Sequence, residues 1–330
     1  MEGKVLVVKS YTIILMSFVA LCFLFLMSIS IGSVAFSISE VVDTLIGRGT
    51  DLSNNIIFNL RIPRVILNVL VGMNLAMSGA LLQAVMRNPL ADPGLTGVSS
   101  GGAFVAIIIM LMFPHLSGLV PFAAFLGAMA TCILVYSLAW KGGGLNPLRV
   151  ILAGVAVNSV LGSGTSLLSI LYSDRIQGVL LWVNGSMAGK NMNHVSLLLP
   201  YSIIGLFLAL LTIKQVNVLQ LGDDMAKNLG YNPNTSRLLI SAVAAFLAGI
   251  SVAVVGIIGF VGLVVPHIAR MVIGSDYKYL LPLSGIFGAI LIVVADTFAR
   301  TVFSPIELPV GILMAVIGGP FFLYLLRKRS

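Results

Sequence analysis

Residues 93–140 read PGLTGVSSGGAFVAIIIMLMFPHLSGLVPFAAFLGAMATCILVYSLAW, 48 positions without a single Asp, Glu, Lys or Arg. As one helix this stretch would extend about 72 Å, more than twice the roughly 30 Å hydrocarbon core of a bilayer. Pro114, His115, Ser117, Gly118 and Pro121 lie near its middle and mark a reversal, so the stretch supplies two membrane-crossing helices.

Seven further stretches lack charge on either side of it: 10–39, 65–86, 150–173, 191–213, 238–269, 279–295 and 308–326. Together the eight cover about two thirds of the 330 residues. The chain carries 19 Lys and Arg and 11 Asp and Glu, only 9% charged against 58% apolar, where a soluble domain holds about 25% charge. A water-soluble globule is excluded. The run 238–269, extended through Arg270 to Ser275, is also too long for one crossing, and Gly256, Gly259 and Gly262 offer a place to turn. An all-α membrane protein of about ten spans follows, at 12–34, 64–86, 94–113, 119–140, 147–172, 193–213, 236–257, 260–275, 279–298 and 307–326. The whole of 1–330 reads as a single transmembrane domain.

Lys and Arg concentrate in cytoplasmic loops, and this rule orients the chain. With ten spans and both termini cytoplasmic, thirteen of the 19 basic residues fall inside, and only Arg48, Arg61, Arg64, Arg175, Lys190 and Arg300 fall outside. Nine spans would instead leave Arg327, Lys328 and Arg329 outside. The net charge of +8 is then a matter of topology and anionic lipid, with no need for nucleic acid. The apolar run at the N-terminus is too long for a signal-peptide core and reads as a retained first helix. Cys22 and Cys132 fall in predicted spans and read as small buried apolar residues.

Small residues recur at spacing four: Gly72, Ala76, Ala80 and Ala84 in the second span, and Gly154, Asn158, Gly162 and Ser166 in the fifth. Such stripes let membrane helices approach closely where lipid offers no drive for burial. Ser159, Ser163, Thr165 and Ser169 make the fifth span polar as well, so Asn158, Gly162 and Ser166 are also candidates to line a wetted path. Asn88-Pro89-Leu90 and Asn146-Pro147-Leu148 read as punctuation before rising helices, with Asn as cap and Pro in the first turn.

Chemistry inside the membrane is sparse. His115 and His194 fall at predicted outer ends, His267 follows Pro266 with no second His, Cys or carboxylate at ligand spacing, and the Gly-Lys pair Gly189-Lys190 is followed by Asn191 and makes no phosphate loop. No metal and no cofactor bound by this chain is expected, and any ATP hydrolysis belongs to another subunit. A proton-coupled carrier needs a buried acid. Asp296 is the nearest candidate, and Arg300 one turn on reads as its local i,i+4 partner.

Two features invite partners. The segment 214–235 contains a short amphipathic helix in which Asp223 and Asp224 suit the start, Gly230 suits the end, and Leu221, Met225, Ala226 and Leu229 form an apolar face. So short a helix needs something to dock against, a membrane surface or a protein groove. On the outer side Arg61, Arg64 and Arg300 either recognise carboxylates or snorkel to head groups.

The motifs Leu60-Arg61-Ile62-Pro63-Arg64, Gly79-Ala80-Leu81-Leu82-Gln83, the run Asn88 to Gly97, Leu221-Gly222 with Ala226 and Leu229-Gly230, Gly259 to Arg270, Ala295-Asp296 with Arg300, and Glu307-Leu308-Pro309-Val310-Gly311 occur in one order across nearly the whole chain. Together they resemble the permease subunits of iron-siderophore, haem and cobalamin ABC importers. The resemblance implies a fold like that of the vitamin B12 importer permease, in a bacterial cell membrane. It implies a second permease subunit, identical or paralogous, two cytoplasmic ABC ATPase subunits, and an extracytoplasmic substrate-binding protein. On this resemblance Leu221, Gly222, Asp223, Asp224, Met225, Ala226, Leu229 and Gly230 match the ATPase-coupling segment, and Arg61, Arg64 and Arg300 match the arginines that meet the binding protein. The cargo it favours is a ferric siderophore, with haem and cobalamin as alternatives and a proton-coupled carrier as the rival class.

Overall fold

The computed structural model describes residues 2–32, 34–142, 144–302, 304 and 306–329. Its helices are α1 (Glu2–Ser30), α2 (Ile38–Leu45), α3 (Asp51–Asn54), α4 (Ile62–Val85), α5 (Val98–Met112), α6 (Val120–Ala139), α7 (Pro147–Leu171), α8 (Ile176–Val183), α9 (Met192–Leu211), α10 (Ile213–Gln220), α11 (Asp223–Asn228), α12 (Pro233–Val255), α13 (Val261–Ile273), α14 (Tyr277–Ala299) and α15 (Val310–Arg329). A wide-turn run, Asn55–Arg61, makes α3 and α4 one continuous rod from Asp51 to Val85. The described strands are a two-residue hairpin, Trp140–Lys141 (β1) against Gly144–Leu145 (β2), between α6 and α7.

Seven helices are long and apolar enough to cross a bilayer, and three shorter apolar ones, α5, α13 and the start of α15, fall on the remaining expected spans. The three long connections read from the sequence are themselves helical. Residues 35–62 form α2 and α3 with the wide-turn run, 173–192 contains α8, and 214–235 contains most of α10 together with α11. Local chemistry sets the starts: Asn146 caps α7, Asn232 caps α12 and Asp276 caps α14, with Pro in the first turn of the first two. Asn88 departs from that expectation. Its side chain accepts from Leu90 N inside a turn, and α5 begins only at Val98, after a short turn that Asp92 caps.

Burial separates centre from periphery. Within their most apolar windows α4 is 83% and α12 78% buried, whereas α1 is 17% and α7 11% buried. The centre is therefore α4 packed on α12, α13 and α14, and α9 also lies against α4. Gly72 and Gly79 allow this approach. A methyl group at position 72 would overlap Gly288 O, and one at position 79 would overlap Gly262 O. Polar ties add direction, with Asn74 Nδ2 donating to Ser202 Oγ at 2.8 Å and Ser78 Oγ to Ala244 O at 2.6 Å. Cys132 is buried, whereas Cys22 faces outward on peripheral α1, because the protein covers only a narrow side of that helix.

Pro266 lies inside α13 and has no N–H, so Gly262 O loses its helical partner. Gln83 of α4 supplies one: its Nε2 donates to Gly262 O at 3.1 Å and Leu263 O at 3.2 Å. Its Oε1 in turn accepts from Arg270. Replacing Gln83 with leucine is expected to cost about 1–3 kcal/mol by leaving the buried carbonyl of Gly262 bare. Adding Pro266→Ala restores an N–H to Gly262 O and should recover part of that loss in thermal melts of purified protein. No recovery in the double variant would refute this account.

Candidate functional site

At the end read as outer, α4 presents Arg64 and, one turn on, Asn68 toward α14. Arg64 Nε and Nη2 each donate to Asp296 at 2.9 Å, Nη1 donates to Glu307 Oε2 at 2.7 Å, and Asn68 Nδ2 donates to Asp296 Oδ2 at 2.8 Å. Asp296 is 1% exposed. A planar guanidinium suits such two-point contact with a carboxylate.

Arg61 and Arg300 converge on the end of α1. Arg61 Nη1 donates to Ile29 O at 2.5 Å and Ser30 O at 3.1 Å, Nη2 donates to Val34 O, and the guanidinium lies 5.1 Å from the centre of the Phe36 ring. Arg300 Nη2 donates to Ser28 O and, at 3.0 Å, to Ser28 Oγ. The last carbonyls of a helix lack internal partners, and cations placed there satisfy them.

One expectation is corrected by this geometry. Asp296 pairs through its carboxylate with Arg64 and Asn68, not with Arg300, whose guanidinium is turned to α1. The three arginines are 5%, 8% and 6% exposed and tie α1, α4 and α14 together. Sequence reasoning missed Asn68 and Glu307 as members of this cluster, although the i,i+4 spacing of Arg64 and Asn68 was a usable signal.

The small-residue stripe on α7, which includes the candidate path residues, divides. Gly154 is buried, and a methyl group there would overlap Leu95 O. Asn158 accepts from Ser100 Oγ and donates to Gly94 O at 2.9 Å, tying α7 to the turn before α5. Gly162 and Ser166 are exposed, and nothing lies within 4 Å of a methyl group at position 162. Each step of four turns about 40° around a helix, so the series begins at a packing contact and ends on an open face.

At the opposite end, α11 stands apart as a platform. Gly222 and Gly230 bracket it at positive φ, +110° and +81°. Ala226 is fully buried, while Leu221, Met225 and Leu229 are 59%, 51% and 53% exposed. The expected apolar face is thus split, with its small member turned inward and its three large members outward. Asp223 Oδ1 accepts from Arg237 at 2.7 Å and from Arg87, which also donates to Leu219 O. Partial burial alone would raise the carboxyl of Asp223, but the hydrogen bond and charge of Arg237 and the charge of Arg87 hold it below the usual range. Arg87 and Arg237 were not singled out from the sequence.

The family model of the FecCD transport family matches residues 20–328. The chain belongs to the FecCD transport family. Among FecCD relatives, the Fe(3+)-citrate import system permease protein YfmD of Bacillus subtilis (strain 168) is 44% identical over 302 residues, covering 92% of this chain and 90% of that protein. The hemin transport system permease protein HmuU of Yersinia pestis is 41% identical over 323 residues, covering 94% of each. A solved transporter assigned to the metal-chelate ABC type, in an inward-facing conformation, superposes with a TM-score of 0.86 at 29% identity, covering 96% of this chain and 99% of that one. As a FecCD protein the chain is a multi-pass membrane permease of an ABC importer and not a catalytic enzyme.

Proposed function

We propose that this chain forms half of a transmembrane conduit that takes up ferric-siderophore complexes, handed over by an extracytoplasmic binding protein and driven by two separate ATPase subunits. The observation that carries the ATPase assignment is the exposed trio Leu221, Met225 and Leu229 on a helix otherwise fastened to the core. Large apolar side chains held rigidly at a polar end call for a protein groove. The second permease, a copy or a paralogue, would cover the open face of α7, with Gly162 and Ser166 beside the path. Asn158 serves that path by holding α7 on the turn before α5.

In this reading Arg61, Arg64 and Arg300 support docking indirectly. They fix the ends of α1, α4 and α14 as one platform, from which Glu307, 44% exposed at its side chain, meets solvent. The likeness to an inward-facing transporter supports treating the buried arginines as the closed arrangement of that end. The iron-centred names of several relatives support a ferric chelate, and the hemin permease among them makes haem the nearest alternative cargo. A proton-coupled carrier is disfavoured, since Asp296 is engaged by Arg64 and Asn68.

Proteoliposomes holding the chain with its ATPase and supplied with binding protein should accumulate labelled ferric siderophore only when ATP is present. Parallel trials with ferric citrate, haem and cobalamin rank the cargo. Accumulation by the chain alone, without the ATPase, would overturn the proposal.

A further inference from the structure

Two non-glycine residues among those described have positive φ, and one of them, Arg87 at +47°, ends the most buried helix of the molecule. A left-handed backbone at an L-residue carries strain and persists only where its surroundings hold it. Here a backbone turn does the holding, with Arg87 N donating to Ala84 O at 3.1 Å and Asn88 N to Gln83 O at 3.1 Å, and from that fixed point the guanidinium reaches both Leu219 O and Asp223 Oδ1. The same carboxylate oxygen accepts from Arg237, which projects from α12 with a side chain only 7% exposed. The first residue of α11 is therefore joined by charge-assisted bonds to α4 and α12, the two most buried of the long apolar helices.

Nothing local makes α11 rigid. It spans six residues between two positive-φ glycines, too few for an isolated helix to hold its shape in water. Its place is set by the burial of Ala226 and by the two arginines on Asp223. Asp224, the neighbouring acid, has a side chain 97% exposed and pairs with Lys227 of the same helix, at 4.0 Å. Of the two acids at the start of α11, one ties the helix to the core and the other does not.

We propose that Asp223 is the positioning residue that transmits movement of α11 to α4 and α12, acting as a pin held between Arg87 and Arg237. This rests on the reading of α11 as the ATPase contact. When α11 is displaced by its partner, the pin obliges the ends of both core helices to follow. Without it, the partner displaces a short helix whose motion is absorbed at Gly222 and Gly230. Side chains that form the contact and side chains that pass the motion on are then different residues, separable by mutation.

The test uses the full complex of this chain, its ATPase and its binding protein in proteoliposomes. Asp223→Asn and Arg237→Gln should each lower the cargo moved per ATP by roughly three- to thirty-fold while ATPase co-purification stays at the wild-type level. Because both substitutions break one element, the double variant should be no worse than the more severe single one. Asp224→Asn, which leaves both arginines on Asp223, should keep more cargo moved per ATP than either single variant, and an equal loss would overturn the proposal. A wild-type transport ratio in Asp223→Asn or Arg237→Gln overturns the proposal, and so does loss of ATPase co-purification in either. A separate Leu221→Ser/Met225→Ser variant probes the contact itself. If its ATPase still co-purifies normally, the ATPase reading of α11 fails, whichever way Asp223 behaves.

Discussion

Replacing Arg64 with methionine is expected to destabilise the assembled chain by about 3–5 kcal/mol, the usual effect of removing one partner from a buried ion pair. The size follows from what is left behind. Asp296 is 1% exposed and would retain Asn68 Nδ2 as its neutral donor, with no guanidinium across it. Glu307 would lose its contact with α4 at the same time. The paired variant Arg64→Met/Asp296→Leu removes both charges and should recover most of the loss, since a buried pair exchanged for apolar side chains is often neutral. Thermal melts and the yield of monodisperse protein in detergent measure both effects. A direct docking role predicts the reverse pattern, a single variant that melts normally and fails only to capture the binding protein. That pattern would refute the internal role of Arg64.

Gly154→Ala and Gly162→Ala should behave as opposites, although they lie eight residues apart on one helix. At position 154 the added methyl would overlap Leu95 O, so α7 must shift away from the turn before α5, at a cost of about 1–3 kcal/mol. The same shift would strain the Asn158 contact with Gly94 O. At position 162 the methyl meets no atom of its own chain, and melting of the isolated subunit should be unchanged. Equal destabilisation by the two would mean that the stripe is a continuous packing seam and that α7 has no open face.

These contrasts show which parts of the molecule were legible in the sequence. The long apolar runs and their punctuation announced the long helices but not α2, α3, α8 and α10, because a bilayer demands uninterrupted apolar length and the interruptions at Pro114 and Gly256 stand out against it. The stripe beginning at Gly72 and Ala76 was legible for the same reason, since only small residues admit a neighbouring backbone. Charge pairing was not. Arg300 lies four residues from Asp296 and looks like its natural partner, yet the carboxylate is taken by Arg64, 232 positions away. Helix periodicity shows what shares a face and not which other helix arrives there. The same blindness hid the partners of Asp223, because Arg87 read as an ordinary inner-loop cation. The drift of Gly154 to Ser166 was concealed by a subtler cause, a repeat of four that overshoots each turn by about two fifths of a residue and so creeps around the helix.

One consequence concerns the order of biosynthesis. The helix α1 leaves the ribosome first, but the side chains that close its final turn come from Arg61 and Arg300, 32 and 272 residues later. The carbonyl of Ser28 must therefore wait, bonded to water at the bilayer edge, through most of translation, while Ile29 O and Ser30 O are reached early by Arg61. A nascent chain stopped before α14 would hold α1 at its tip by Arg61 alone, so the leading segment becomes locked only when one of the last is in place.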